Sequence, residues 1–202
     1  VNVAIGNYAL DASTTGANNV AIGYGTLTAA TSNNNTAVGT NAGVAVTSAT
    51  ELTIMGYGAG DAITTGNYNT ALGTYALTDN TAGERNTAVG RSALQANHAS
   101  YNTAVGMFAS AGTTTGSANV SVGYGALGVA TTAAYNVAVG SDTMALTTTG
   151  GNNTAVGQHS LYANTTGIYN VALGYNALDA SSTASYNTAL GGLTLTAFTG
   201  TG

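Results

Sequence analysis

A pentapeptide, Asn-(Thr/Val)-Ala-(Val/Ile/Leu)-Gly, returns along the whole chain, and its period decides what the chain can fold into. The pivot glycines are Gly6, Gly23, Gly39, Gly56, Gly73, Gly90, Gly106, Gly123, Gly140, Gly157, Gly174 and Gly191. They are spaced by 17 residues, with two spacings of 16. A repeat this short holds one supersecondary unit that cannot bury an apolar face alone, so its neighbours must stack on it. Opening each unit five residues before its glycine divides the chain into 1–17, 18–33, 34–50, 51–67, 68–84, 85–100, 101–117, 118–134, 135–151, 152–168, 169–185 and 186–202. No residue is left over and neither end carries an atypical capping unit. The expectation is one repeat domain of twelve coils without caps, and Gly202 would lead into another Val1 in register. Uncapped coils expose unpaired strand edges, which favours head-to-tail stacking into an open filament.

Within each unit, side chains of an extended segment alternate between faces. The residue before the pivot is apolar in every copy, and the residue three before is Val or Thr. β-branched residues suit a strand. This pairing predicts a core ladder of Ile5, Ile22, Val38, Leu72, Val89, Val105, Val122, Val139, Val156, Leu173 and Leu190. The opposite face would then carry two columns of smaller or polar residues. One is Ala4, Ala21, Ala37, Ala71, Ala88, Ala104, Ala138, Ala155, Ala172 and Ala189, a flat face suited to lateral contact between chains. The other is Asn2, Asn19, Asn35, Asn69, Asn86, Asn102, Asn119, Asn136, Asn153, Asn170 and Asn187, which can form a ladder of stacked amides.

Four residues after the pivot stands Leu or Met in nine copies, often followed two residues later by Ala. This alternation predicts a second short strand. Glycines ten after the pivot, such as Gly16, Gly66 and Gly116, mark the return turn. No segment has a period of 3.6, and Gly recurs too often for a helix. The predicted fold is all-β: a parallel β-solenoid of twelve coils of ~17 residues, with two short strands per coil.

Composition narrows the function. Charged residues make up 4% of the chain, with two Arg and no Lys, against about a quarter in ordinary domains. Arg85 and Arg91 cannot neutralise a phosphate backbone, so nucleic acid is excluded as a partner. Every apolar run is too short for a membrane span. No starting Met or signal peptide is present, as expected of a mature or excised segment. His98 and His159 occupy different places in their repeats, and the acids form no column. With no Cys as well, the expectation is a non-enzymatic protein without metal or cofactor.

Two polar columns point elsewhere. Thr stands eight after the pivot in most units, and Thr14, Thr64, Thr114, Thr148 and Thr165 are candidate glycan sites, as are the sequons at Asn34, Asn152 and Asn164. Local hydrogen bonding and an ice-ordering face are the other readings of the Thr column. Tyr gathers five before the pivot (Tyr68, Tyr101, Tyr135, Tyr169, Tyr186) and just after it (Tyr24, Tyr57, Tyr124, Tyr175). These suit aromatic stacking at a corner or a platform for sugars.

Asn19-Val20-Ala21-Ile22-Gly23, Asn136-Val137-Ala138-Val139-Gly140 and Asn170-Val171-Ala172-Leu173-Gly174 resemble the head repeats of trimeric autotransporter adhesins and the similar repeats of phage tail-fibre proteins. The resemblance covers the whole chain, although this repeat is a few residues longer than that of the adhesin head. It implies a left-handed parallel β-roll, usually trimeric, that presents a long adhesive surface. The functional expectation is a structural component of an extracellular fibre or filament, at a cell surface or on a virion, with other copies of itself as principal partner. A receptor-binding adhesin head or phage tail-fibre shaft, meeting surface glycans or a host receptor, is the alternative. An ice-binding protein is the third.

Overall fold

The computed structural model describes residues 1–197. The expected junction of Gly202 with a second Val1 lies outside the described residues. Twelve strands of three residues each follow in chain order: β1 Val3–Ile5, β2 Val20–Ile22, β3 Thr36–Val38, β4 Thr53–Met55, β5 Thr70–Leu72, β6 Thr87–Val89, β7 Thr103–Val105, β8 Val120–Val122, β9 Val137–Val139, β10 Thr154–Val156, β11 Val171–Leu173 and β12 Thr188–Leu190. They form one parallel sheet with each strand beside its chain neighbour. Like pairs with like, as in Ala138 beside Ala155 and Val139 beside Val156. The architecture is a parallel β-solenoid, and the described residues contain no helix.

Among the described residues the expected second strand is absent. After the pivot the chain instead makes consecutive turns, such as those closed by Ala9 N–H donating to Gly6 C=O and Ser13 N–H donating to Leu10 C=O. The residue two after the pivot has positive φ in all twelve units, and so does the Leu or Met four after it, from Leu10 at 52° to Leu195 at 53°. Left-handed backbone breaks the two-residue alternation of a strand, and each such non-Gly residue costs roughly 1–2 kcal/mol. Stacking holds them in place. Leu27 N–H donates to Ala42 C=O of the next coil, and Gly25 N–H donates to Asn7 C=O of the previous one. The Leu side chains still face inward: Leu27, Leu77, Leu94, Leu127, Met144, Leu161 and Leu178 are fully buried.

The strand faces are the reverse of the expectation. Ala21, Ala37, Ala71, Ala88, Ala104, Ala138, Ala155, Ala172 and Ala189 lie inside, and only Ala4, on the first coil, is exposed. The proposed core ladder faces outward instead. Ile22, Val38, Leu72, Val89, Val122, Val139 and Leu173 are half-buried, while Ile5, Val105, Val156 and Leu190 are exposed. Alternation tells which residues share a face but not which face is inside, and the width of the coil settles that. The long side chains that fill the interior arrive from the turn segment opposite the strand, which leaves room only for a methyl group on the strand's inner face.

The pivot glycine follows from the same closeness. Its φ lies between 118° and 139°, where L side chains are rarely found. A Cβ on Gly140 would stand 2.7 Å from the carbonyl carbon of Gly157 in the next coil.

Candidate functional site

The buried Asn column is structural. The side-chain oxygen of Asn136 accepts from the backbone N–H of Asn153 at 3.0 Å, and its amide nitrogen donates to Gly150 C=O at 3.0 Å. The same pair of bonds recurs at Asn119, Asn153 and Asn170. Each amide therefore joins the strand of the next coil to a return turn, satisfying two buried backbone groups at once. The expectation placed this column on the outer face; from Asn19 to Asn187 it lies within the coil, and only Asn2, on the first coil, is exposed.

The Thr column is a second ladder, on the surface. Thr31, Thr47, Thr64, Thr114, Thr131, Thr148 and Thr165 each donate their hydroxyl to the carbonyl of the residue one coil on. At Thr64, Thr114, Thr148 and Thr165 the oxygen that a glycan would need is engaged in this way. Asn164 is also withdrawn as a glycan site, because it is fully buried and its amide donates to Gly167 C=O. Thr14, Asn34 and Asn152 are exposed.

What remains outward is the opposite strand face and the corners. The strand face presents two columns along its whole length. One is Val3, Val20, Thr36, Thr53, Thr70, Thr87, Thr103, Val120, Val137, Thr154, Val171 and Thr188. The other runs from Ile5 through Met55, Val105 and Val156 to Leu190. None of these residues is charged. Met55 is 52% exposed and Val156 40%. Twelve strands at a spacing of ~4.8 Å make this face roughly 57 Å long.

The two Tyr columns occupy separate corners. Tyr24, Tyr57 and Tyr124, just after the pivot, meet an aromatic ring of the adjoining coil edge to face, with centroids 5.5 Å apart for Tyr8 and Tyr24 and 5.4 Å for Tyr57 and Tyr75. A side-chain hydrogen bond with Tyr57 that favours the protonated form pushes the Tyr75 phenol above its ordinary range. The column five before the pivot sits at a left-handed corner, with φ near 60° from Asn18 to Tyr186. There Tyr169 and Tyr186 stack at 5.2 Å.

The acids form no column along the repeats, but Asp142 Oδ2 lies 3.8 Å from His159 Nε2. The signal was their separation of 17 residues, which in a stacked coil means contact. His98 is exposed. Among the described residues no three His, Asp or Glu are grouped to hold a metal ion, and the surface has no enclosed pocket. No protein family, curated protein or solved structure matches this chain.

Proposed function

We propose that this chain is a non-enzymatic structural element of an extracellular fibre, on a cell or a virion, in which solenoids associate side by side through the outward strand face. The observation that carries this reading is the uncharged face of Val, Ile, Leu, Met and Thr running the length of the sheet. Large contiguous apolar patches on soluble proteins mark interaction surfaces. A face that repeats every coil fits best against another face with the same repeat, which a second copy of the chain supplies. The resemblance to adhesin heads and tail-fibre repeats points the same way, and a receptor-binding head built on such an assembly is a variant of this reading. Sedimentation or light scattering tests it. The parent chain is expected to have the mass of an oligomer, and Val105→Arg the mass of a single chain with its β-signal intact. A monomeric parent would overturn the proposal.

One observation favours a second use of the same face. Thr36, Thr53, Thr70, Thr87 and Thr103 stand side by side on five successive strands, each with an apolar residue two places on. A flat, regular Thr and Val face is what ordering water into ice requires. Thermal hysteresis by the monomeric Val105→Arg chain or its parent would favour that reading, and its absence in both would remove it.

A further inference from the structure

In the corner column five before the pivot, one position between two Tyr holds only a methyl group, and two coils away the matching position is filled. From residue 68 the column reads Tyr68, Arg85, Tyr101, Ala118, Tyr135, Asn152, Tyr169, Tyr186, each on the same left-handed backbone and therefore projecting in the same direction. Successive positions are one coil apart, ~4.8 Å along the axis. Rings in adjacent coils stack nearly parallel, as Tyr169 and Tyr186 do with 19° between their planes. Rings two coils apart therefore leave room for one flat group between them.

Between Tyr68 and Tyr101 that group is the guanidinium of Arg85. Its central carbon lies 4.8 Å from the Tyr68 ring centroid and 5.6 Å from that of Tyr101. One nitrogen pairs with Glu84 at 2.8 Å. Two coils on, the same frame holds Ala118 between Tyr101 and Tyr135. A methyl group cannot fill a gap that a guanidinium fills. Arg85 approaches Tyr101 from the preceding coil, so the other ring face is turned toward Ala118. Both walls are exposed, Tyr101 at 58% although Arg85 covers one of its faces, and Tyr135 at 64%. Between Tyr135 and Tyr169 the position is taken by Asn152, so of the Tyr-flanked positions only Ala118 is left short.

We propose that the slot formed by Tyr101, Ala118 and Tyr135 binds the guanidinium of an arginine side chain presented by a partner protein. The chemistry is that of the Arg85 sandwich: a weakly hydrated planar cation attracted to the faces of two aromatic rings. The chain's net charge of −5 favours such a partner over an anionic one. Ser117 stands where Glu84 accompanies Arg85, so recognition rests on the two rings and not on an ion pair. The site lies on the corner before the strand and does not depend on the lateral contact proposed above.

N-acetyl-arginine methylamide is the probe, followed by NMR of the tyrosine ring signals in the intact chain. The expected result is weak, saturable binding that shifts Tyr101 and Tyr135. The citrulline analogue, flat but uncharged, and the lysine analogue, charged but not flat, should each bind about tenfold more weakly. Ala118→Arg should fill the slot from within, leaving the circular dichroism unchanged and abolishing the response. Tyr135→Leu should weaken binding by about tenfold without altering the charge of the chain. Equal binding of arginine and citrulline would overturn the proposal. So would an undiminished response in Ala118→Arg, no saturable shift in the parent, or a response to a disaccharide but not to arginine.

Discussion

The coil of residues 51–67 and the coil of 135–151 have the same backbone and solve the problem of filling it in opposite ways. In the second, Asn136 bridges buried backbone groups, Ala138 lines the strand's inner face, and Met144 fills the space from the turn side. In the first, Leu52 and Ile54 replace the Asn and the Ala, and both are buried with Ile63, Val46 and Ala49. The turn side compensates. The positions that elsewhere hold Leu are Gly43 and Gly60, and a Cβ on either would come within 3.0 Å and 3.3 Å, respectively, of the Ile54 Cδ1. Volume removed from one wall is restored from the other, as a close-packed interior requires. The third unit that lacks Leu follows the same rule in polar form: Ser110 Oγ donates to Ser121 Oγ at 2.9 Å. The core is thus a conserved sum across two facing columns, and each departure in one is matched in the other.

Replacing the amide of the polar coil tests this most severely. Asn136→Leu should strand the N–H of Asn153 and the carbonyl of Gly150, at a cost on the order of 1–3 kcal/mol for each group. Urea unfolding would measure it, and a loss below ~1 kcal/mol would show that the ladder is not what the polar coil depends on. Ala138→Ile should cost about 1–3 kcal/mol by overpacking against Leu127 and Met144. Adding Leu127→Gly should recover part of that loss, reproducing the arrangement around Ile54. Additive losses would mean that the two columns do not share volume.

The smallest expected effect concerns a charge. Asp61, in the apolar coil, has its carboxyl pushed above the ordinary 3.8 by burial and by the Asp79 carboxylate in the next coil. A folded-state pKa above the unfolded one means that the native chain holds its proton more tightly. Stability from this group is present below pH 3.8 and is lost as pH rises through the folded pKa. Asp61→Asn should therefore melt higher than the parent at pH 7, with the gap closing below the ordinary carboxylate range. A gap independent of pH would show that the charge is not its cause.

The period, the parallel stacking and the pivot glycine were legible in the sequence because each is a matter of spacing. The inversion of the strand was not inferred, although a signal was present. Ile54 occurs with Gly43 and Gly60, and Ser121 with Ser110, as residues sharing one interior must. The turn segment passed for a strand because its Leu column looked like alternation. The position two before it is populated by Gly25, Asn41, Gly58, Gly125, Asp142 and Asn176, residues that tolerate left-handed backbone. The Asn column was recognised as a ladder but placed outside, because it shares a strand face with the Ala column and the bulkier face was assigned to the interior. The open slot at Ala118 needed the geometry of Arg85 between its two rings, which no spacing reveals.

The most direct test of the account is the pair Ala138→Arg and Val139→Arg, adjacent residues on one strand, followed by circular dichroism and thermal melting. Ala138→Arg should destroy the β-signal, since an unpaired charge would lie inside the stack. Val139→Arg should retain that signal and its cooperative melt, because its side chain leaves the sheet on the outward face. A folded Ala138→Arg beside an unfolded Val139→Arg would contradict the account and return the core to the other side of the strand.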